Sequence, residues 1–295
     1  MTDTVQPTEF TVPVRGGQLA VHHWPLGEGT PVIALHGIAA NGRAFDALAC
    51  HPLGAPLYAP DLRGRGRSQL PGPYGLGAHV EDTLALLDHL DAPRAVLVGH
   101  SMGAFIAALA ASRHPERFPR VVLVDGGVGF PPPEGADLDE VLQAVLGPAM
   151  RRLSMTFPDP EAYRDFFRQH PALVRHWGPD VQSYVDRDLI GPPGEMVSSC
   201  VLDAVRADGA MVLGDPETLA AVHQPGVRGT LLWAERGLLD EPQALYDADR
   251  IAAAELDPDR IAHRRIDDTN HYDVLLSPRA AREIADAVSA EREAV

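Results

Sequence analysis

The chain has 295 residues, 45% of them hydrophobic and 22% charged. That composition excludes a disordered chain, and the length supports a core that needs no disulfide or metal to hold it. With 25 basic and 41 acidic residues the net charge is −16, which argues against nucleic acid or an anionic membrane as a partner, since both select a basic surface.

The first 127 residues alternate strand and helix. Residues 8–14 and 18–24 read as two strands joined at Gly16-Gly17, a hairpin signal. The apolar run 31–35 ends in His36-Gly37 and reads as a buried strand, and 57–59 is another, ending at Pro60-Asp61. Val80, Leu84 and Leu87 recur at helical spacing and predict a helix over 77–91. Residues 95–98 form a strand entering Gly99, and Met102, Phe105, Ile106 and Leu109 mark the helix that follows. The next strand, 121–124, is closed by Asp125-Gly126-Gly127. Strands separated by helices imply a parallel sheet with right-handed crossovers.

The rhythm breaks over 128–226, where the pattern is helical and no strand is evident. This stretch opens with Pro131-Pro132-Pro133, a stiff entry segment. We expect a helical cap over the sheet's active edge, with Met155, Phe157, Phe166, Phe167 and Trp177 shaping an apolar acyl pocket. The plainer alternative is a helical layer with no gating role. The strand–helix pattern resumes with a strand at 230–233, a helix at 242–255, a strand at 261–266 and a helix at 278–291. The expected organisation is a core of 1–127 and 227–295 with a cap of 128–226.

Gly99-His100-Ser101-Met102-Gly103 fits G-x-S-x-G, with an apolar strand before it and an amphipathic helix after it. A sharp strand-to-helix turn there exposes the hydroxyl of Ser101, the candidate nucleophile, at a helix N-terminus that favours developing negative charge. Leu35-His36-Gly37-Ile38 ends an earlier strand, so the N–H groups of Ile38 and Met102 are candidates for an oxyanion hole. His36 and His100 each sit beside a glycine in a tight turn and read as structural histidines. His263 lies at the start of its strand, at the wrong end, whereas His271, in Asn270-His271-Tyr272-Asp273 after the last strand, is the candidate general base. The run Asp61 to Ser68 carries three arginines; against the acidic balance it reads as a loop whose Asp61 and arginines pair locally. All 25 basic residues are arginine, so lysine-based catalysis is excluded. Cys50 and Cys200 lack metal-ligand spacing and read as buried thiols of a reducing compartment. Residues 1–6 are polar and no run approaches a membrane span, so a cytoplasmic protein is expected.

Through Leu35-His36-Gly37-Ile38, Asp61 to Ser68, Gly99 to Gly103 and Asn270-His271, the chain resembles the α/β-hydrolase superfamily in its cap-bearing branch. The resemblance implies an eight-stranded, mostly parallel sheet flanked by helices, and catalytic groups in the order Ser, acid, His. Relatives often place the acid in a W-G-E-x-D turn; here the segment is Trp233-Ala234-Glu235-Arg236-Gly237, with glycine at the aspartate's place. Asp125, ending the strand after the nucleophile helix, is the first candidate for the acid. Asp240 is the alternative, with a competing role as helix cap in Asp240-Glu241-Pro242-Gln243, and Glu235 stands behind both.

The function expected is hydrolysis of an ester or lactone of a small apolar substrate through an acyl-enzyme on Ser101. Carbon–carbon bond hydrolysis is the alternative, as is lyase or cofactor-free perhydrolase chemistry on the same triad. A non-catalytic ligand receptor is a distant further reading. A serine at the nucleophile position argues against dehalogenase and epoxide hydrolase chemistry, which in this superfamily use aspartate. No cofactor and no metal is expected; the expected partner is a small-molecule substrate, and a homodimer is left open.

Overall fold

The computed structural model describes residues 6–129, 135, 137, 140, 141, 147 and 150–295. The proline triplet 131–133 lies outside them. Ten strands are assigned among the described residues: β1 Thr8–Val14, β2 Gly17–Trp24, β3 Val32–Leu35, β4 Leu57–Pro60, β5 Val96–His100, β6 Arg120–Val124, β7 Leu189–Ile190, β8 Val197–Ser198, β9 Gly229–Ala234 and β10 Ile261–Ile266. Eight form one sheet in the order β1-β2-β4-β3-β5-β6-β9-β10. β1–β2 and β2–β4 pair antiparallel, and every pair from β4 to β10 is parallel.

The parallel strands are short unbroken apolar runs because both of their faces are covered. Val32 and Ala34 of β3 point into one layer with Phe45, Leu48 and Ile284. Ile33 and Leu35 point into the other, with Val80, Leu87, Ile106 and Leu109. The second layer is built by the helices Leu76–His89 and Met102–Arg113, and the helix Pro278–Glu293 lies on the first face. From β3 the chain moves outward to β4, then crosses back to β5 and proceeds the other way through β6, β9 and β10. The loops leaving the ends of β3 and β5 therefore diverge, which opens a crevice at the carboxyl edge of the sheet.

Residues 150–201 fasten to the loops at that edge. Asn41 after β3 donates to the Tyr184 carbonyl, and Arg187 grips Asp61 after β4. Ser199 Oγ accepts from Gly66 N–H, and Asn270 after β10 donates to the Ala172 carbonyl. Three features depart from the sequence expectation. This segment holds a two-stranded antiparallel pair, β7 and β8, whose two residues apiece are too few to show alternation. The range expected to be cap, 128–226, also includes helical residues 202–223 that pack on Met102–Arg113 as part of the layer flanking the sheet. The helix expected over 242–255 is only Ala248–Ala253, capped by Asp247, whose side chain accepts from Arg250 N–H.

Of the aromatic residues expected to line an acyl pocket, Phe157, Phe166 and Phe167 make edge-to-face contacts with one another and with Tyr163, and they pack into the same core as Val32, Ala34 and Phe45. Met155 is exposed, and Trp177 lines a concavity of about 510 Å³ with Gly178, Pro179, Gln182, Ser183 and Asp186. Neither cysteine forms a disulfide, and only Cys200 is buried while Cys50 is half-buried. No helix among the described residues is long and apolar enough to cross a membrane.

Candidate active site

Ser101 joins β5 to the helix Met102–Arg113 with φ 54° and ψ −122°, a conformation costly for a residue with a Cβ. Its surroundings leave the chain no other path. A Cβ on Gly103 would stand 1.9 Å from the Leu35 carbonyl oxygen, one on Gly99 2.2 Å from the Gly103 oxygen, and one on Gly126 2.2 Å from the Ser101 oxygen. Strand β5, the helix and the turn after β6 thus meet at glycines alone. Ser101 N–H donates to the Val124 carbonyl at 2.9 Å, and the side chain caps nothing in the helix it begins. The hydroxyl has no hydrogen bond among the described residues, His271 included; nucleophile–base contacts of this kind commonly tighten only when substrate binds.

His271 lies in the loop after β10, only 5% exposed. Asn270 shapes that loop: its Oδ1 accepts from Tyr272 and Asp273 N–H at 2.9 and 2.8 Å. His271 Nδ1 donates to Asp125 Oδ2 at 2.6 Å, and Asp125 Oδ1 accepts from Ala234 N–H at 3.0 Å. Asp125 is fully buried with φ 45°, a left-handed turn at the end of β6 that swings its carboxylate toward the histidine. Of the three acid candidates only Asp125 touches His271. Asp240 holds Arg236 Nε at 2.6 Å and Asn270 Nδ2 at 3.0 Å, and it caps no helix, contrary to expectation. Glu235 turns away, accepting from Asp268 N–H at 2.6 Å.

The two glycine-adjacent histidines are buried and tied to the backbone. His100 Nε2 donates to the His271 carbonyl at 2.8 Å, with the two rings 4.7 Å apart. Burial, then the neighbouring His271, lowers the pKa of His100 to about 3. His36 bridges Gly37 O and Leu62 N–H, each at 2.8 Å.

Ile38 and Met102 both stand at this edge, and neither amide has an acceptor among the described residues. Gly37, whose missing Cβ would lie 3.3 Å from Ser101 Cβ, sets the loop of Ile38 directly against the serine. Two free N–H groups beside a serine hydroxyl are suited to an anionic oxygen.

The run 61–68 bonds within itself through Arg67 N–H to Asp61 and Arg65 to the Arg63 carbonyl, but the ion pairs of Asp61, Arg63 and Arg65 lie outside it, contrary to expectation. Asp61 takes the N–H groups of Gly42 and Arg67, at 2.9 and 2.8 Å, and the guanidinium of Arg187. Although burial opposes it, His22, then the Arg187 guanidinium and the Arg67 N–H, hold the Asp61 carboxyl well below the usual carboxylate range. Arg63 pairs with Asp82 at 2.7 Å, and the fully buried Arg65 with Asp208 at 2.5 Å. Arg65 also donates to the Ile38 carbonyl at 2.9 Å, and Arg152 donates to the Ala39 carbonyl at 3.0 Å. Sequence reasoning missed both arginines as neighbours of the site. For Arg65 the one signal was the clustering of arginines after β4 in an acidic chain, which does not reveal its partner Asp208; for Arg152 there was none.

The comparisons agree with this architecture. A family profile described as the alpha/beta hydrolase fold matches residues 30–152. The lipase LipV of Mycobacterium tuberculosis is 31% identical over 219 residues, 65% of this chain and 80% of the lipase. A 2-hydroxymuconate semialdehyde hydrolase of a Pseudomonas species is 38% identical over 121 residues, which cover 38% of this chain and 42% of that protein. The crystal structure of E-2-(acetamidomethylene)succinate hydrolase superimposes with a TM-score of 0.77 over 96% of this chain and 99% of that one; at 21% identity this likeness concerns the fold. The chain belongs to the α/β-hydrolase family and is a hydrolase.

Proposed function

We propose that this hydrolase cleaves an ester or lactone of a small apolar substrate through an acyl-enzyme on Ser101. The observation that carries the reading is the His271 Nδ1–Asp125 Oδ2 hydrogen bond of 2.6 Å at the edge where Ser101 stands in a strained turn. A carboxylate on Nδ1 keeps the proton there and leaves Nε2 free to act as base. Ser101 Oγ bonds to the substrate carbonyl carbon while its proton passes to His271 Nε2. The carbonyl oxygen becomes an anion and is met by the Ile38 and Met102 amides. Collapse breaks the ester bond, and the leaving alkoxide takes the proton from His271. Water then adds to the acyl-enzyme in the same way, releasing the acid and restoring the serine. Residues 150–201 act as a cap over this edge. No cofactor enters the scheme, and a small molecule is the partner.

The test is a panel of short and long acyl esters, lactones and diketones with the wild type and Ser101→Ala. The variant should lose on the order of 10³–10⁶ in kcat. A fluorophosphonate should label the wild type and leave Ser101→Ala unlabelled; normal labelling of the variant would refute the assignment. The partial match to a semialdehyde hydrolase favours carbon–carbon bond hydrolysis as the second reading. The diketones in the panel distinguish the two.

A further inference from the structure

The Ile38 amide shares its peptide unit with the Gly37 carbonyl. In a trans peptide the C=O and N–H point in opposite directions, so whatever holds Gly37 O also aims Ile38 N–H. Gly37 O accepts from His36 Nδ1 at 2.8 Å and from Ala40 N–H at 3.2 Å. His36 itself is fully buried. Its other nitrogen, Nε2, lies 2.8 Å from the N–H of Leu62, which can only donate. Nε2 therefore carries no proton, and Nδ1 must. Burial holds the ring neutral, lowering its pKa to about 3, so the arrangement does not change across working pH.

The next two carbonyls of the turn are held as firmly. Arg65 Nε donates to Ile38 O and Arg152 Nη2 to Ala39 O, and both guanidinium groups are buried. Arg65 is anchored on Asp208 at 2.5 Å, while Arg152 lies 3.4 Å from Asp188. Three successive carbonyls are thus held, that of Gly37 from within the turn and those of Ile38 and Ala39 by side chains from other parts of the chain, while the Ile38 N–H has no acceptor among the described residues.

We infer that His36 is a positioning residue for the oxyanion hole: its Nδ1–H, fixed in place by Leu62, turns the Gly37 carbonyl aside so that the Ile38 amide faces the anion formed at Ser101. The inference rests on the serine mechanism proposed above. It gives the two nitrogens of one ring different tasks: Nε2 ties the end of β3 to the loop after β4, and Nδ1 aims the catalytic amide.

Two substitutions separate these tasks. An asparagine amide nitrogen falls near the place of Nδ1, so His36→Asn keeps the donor to Gly37 and gives up the Leu62 contact. A glutamine amide oxygen falls near Nε2, so His36→Gln does the reverse. Active sites are counted by fluorophosphonate titration, so misfolded protein does not enter kcat. An aim that matters in the transition state lowers kcat and spares KM. We expect His36→Gln to lose about 10²-fold in kcat with KM little changed, and His36→Asn to stay within about fivefold of the wild type. Equal kcat per site for His36→Gln and wild type overturns the inference, as does a His36→Asn as slow as His36→Gln. Should His36→Gln fail to fold, the Ile38 amide proton resonance decides. It should move downfield when the phosphonyl adduct forms in wild type and in His36→Asn, and an unmoved resonance overturns the inference. Failure of the probe to react with wild-type Ser101 instead overturns the serine mechanism, and this inference with it.

Discussion

Replacing Asp125 by asparagine tests the acid assignment with little change of shape. The carboxylate has two partners: Oδ1 takes the Ala234 N–H at 3.0 Å, and Oδ2 takes His271 Nδ1–H at 2.6 Å. An asparagine can satisfy Ala234 only by keeping its oxygen there, which turns its NH₂ toward His271. Two donors cannot face each other, so the imidazole moves its proton to Nε2 and lets Nδ1 accept. The nitrogen that should take the serine proton is then already protonated. The expected loss is about 10⁴ in kcat, or about 5 kcal/mol of transition-state stabilisation. Both hydrogen bonds survive with changed polarity, so the thermal midpoint should move by only a few degrees. The assay is steady-state ester hydrolysis per titrated active site, beside thermal unfolding followed by circular dichroism. Asp240→Asn is the matched control. Its carboxylate binds Arg236 and Asn270 but not His271, so activity should stay within about threefold of wild type. A larger loss in Asp240→Asn than in Asp125→Asn would refute the reasoning.

Gly103→Ala places a Cβ 1.9 Å from the Leu35 carbonyl, a main-chain atom of the buried strand β3 that cannot yield. The variant should lose about 3 kcal/mol or more in urea unfolding, or be insoluble, and a wild-type midpoint would contradict this packing. Asp273 is 1% exposed, with Oδ1 lacking a hydrogen-bond partner among the described residues. Burial raises its pKa to about 6, against the pull of His176, Arg175 and Arg236 and with Asp240 adding to the rise. The folded chain then holds this proton more tightly than the unfolded chain does. Stability therefore falls as pH rises from about 4 to about 6, and stays lower above. Asp273→Asn should raise Tm at about pH 8 and leave it nearly unchanged at about pH 4; equal shifts at both would contradict this origin.

What could be read from the sequence was what short-range pattern determines. The apolar runs of β3, β5 and β6 announce strands because both faces are covered, and the glycines around Ser101 announce a turn because nothing larger fits. The sequence singled out His271 from its place after the last strand and Asp125 from ending β6 before two glycines, and these two side chains meet. The failures have a common cause. Asp240 looked like a helix cap by spacing, yet its loop folds back on itself, with Gly237 N–H bonded to the Glu241 carbonyl and Asp240 drawn to Asn270, so the helix starts at Asp247 instead. The arginines of the loop after β4 looked locally paired, but Arg65 meets Asp208 and Asp61 meets Arg187, contacts that exist only once the chain has closed over the sheet. His36 looked structural because local pattern cannot show which carbonyl a ring nitrogen will hold.

The fastening of residues 150–201 divides the site into a fixed half and an adjustable half. Among the described residues this segment is bonded to the loops after β3, β4 and β10, through Ala39, Asn41, Asp61 and Asn270. It has no such bond to the turns carrying Ser101 and Asp125, which are wedged between the sheet and the Met102–Arg113 helix. Any ligand that shifts the segment is therefore felt first by the loops bearing the Ile38 amide and His271. Ser101 and Asp125 keep their places, and under the proposed mechanism the groups assigned to the charge and the proton are the ones a ligand's size can retune.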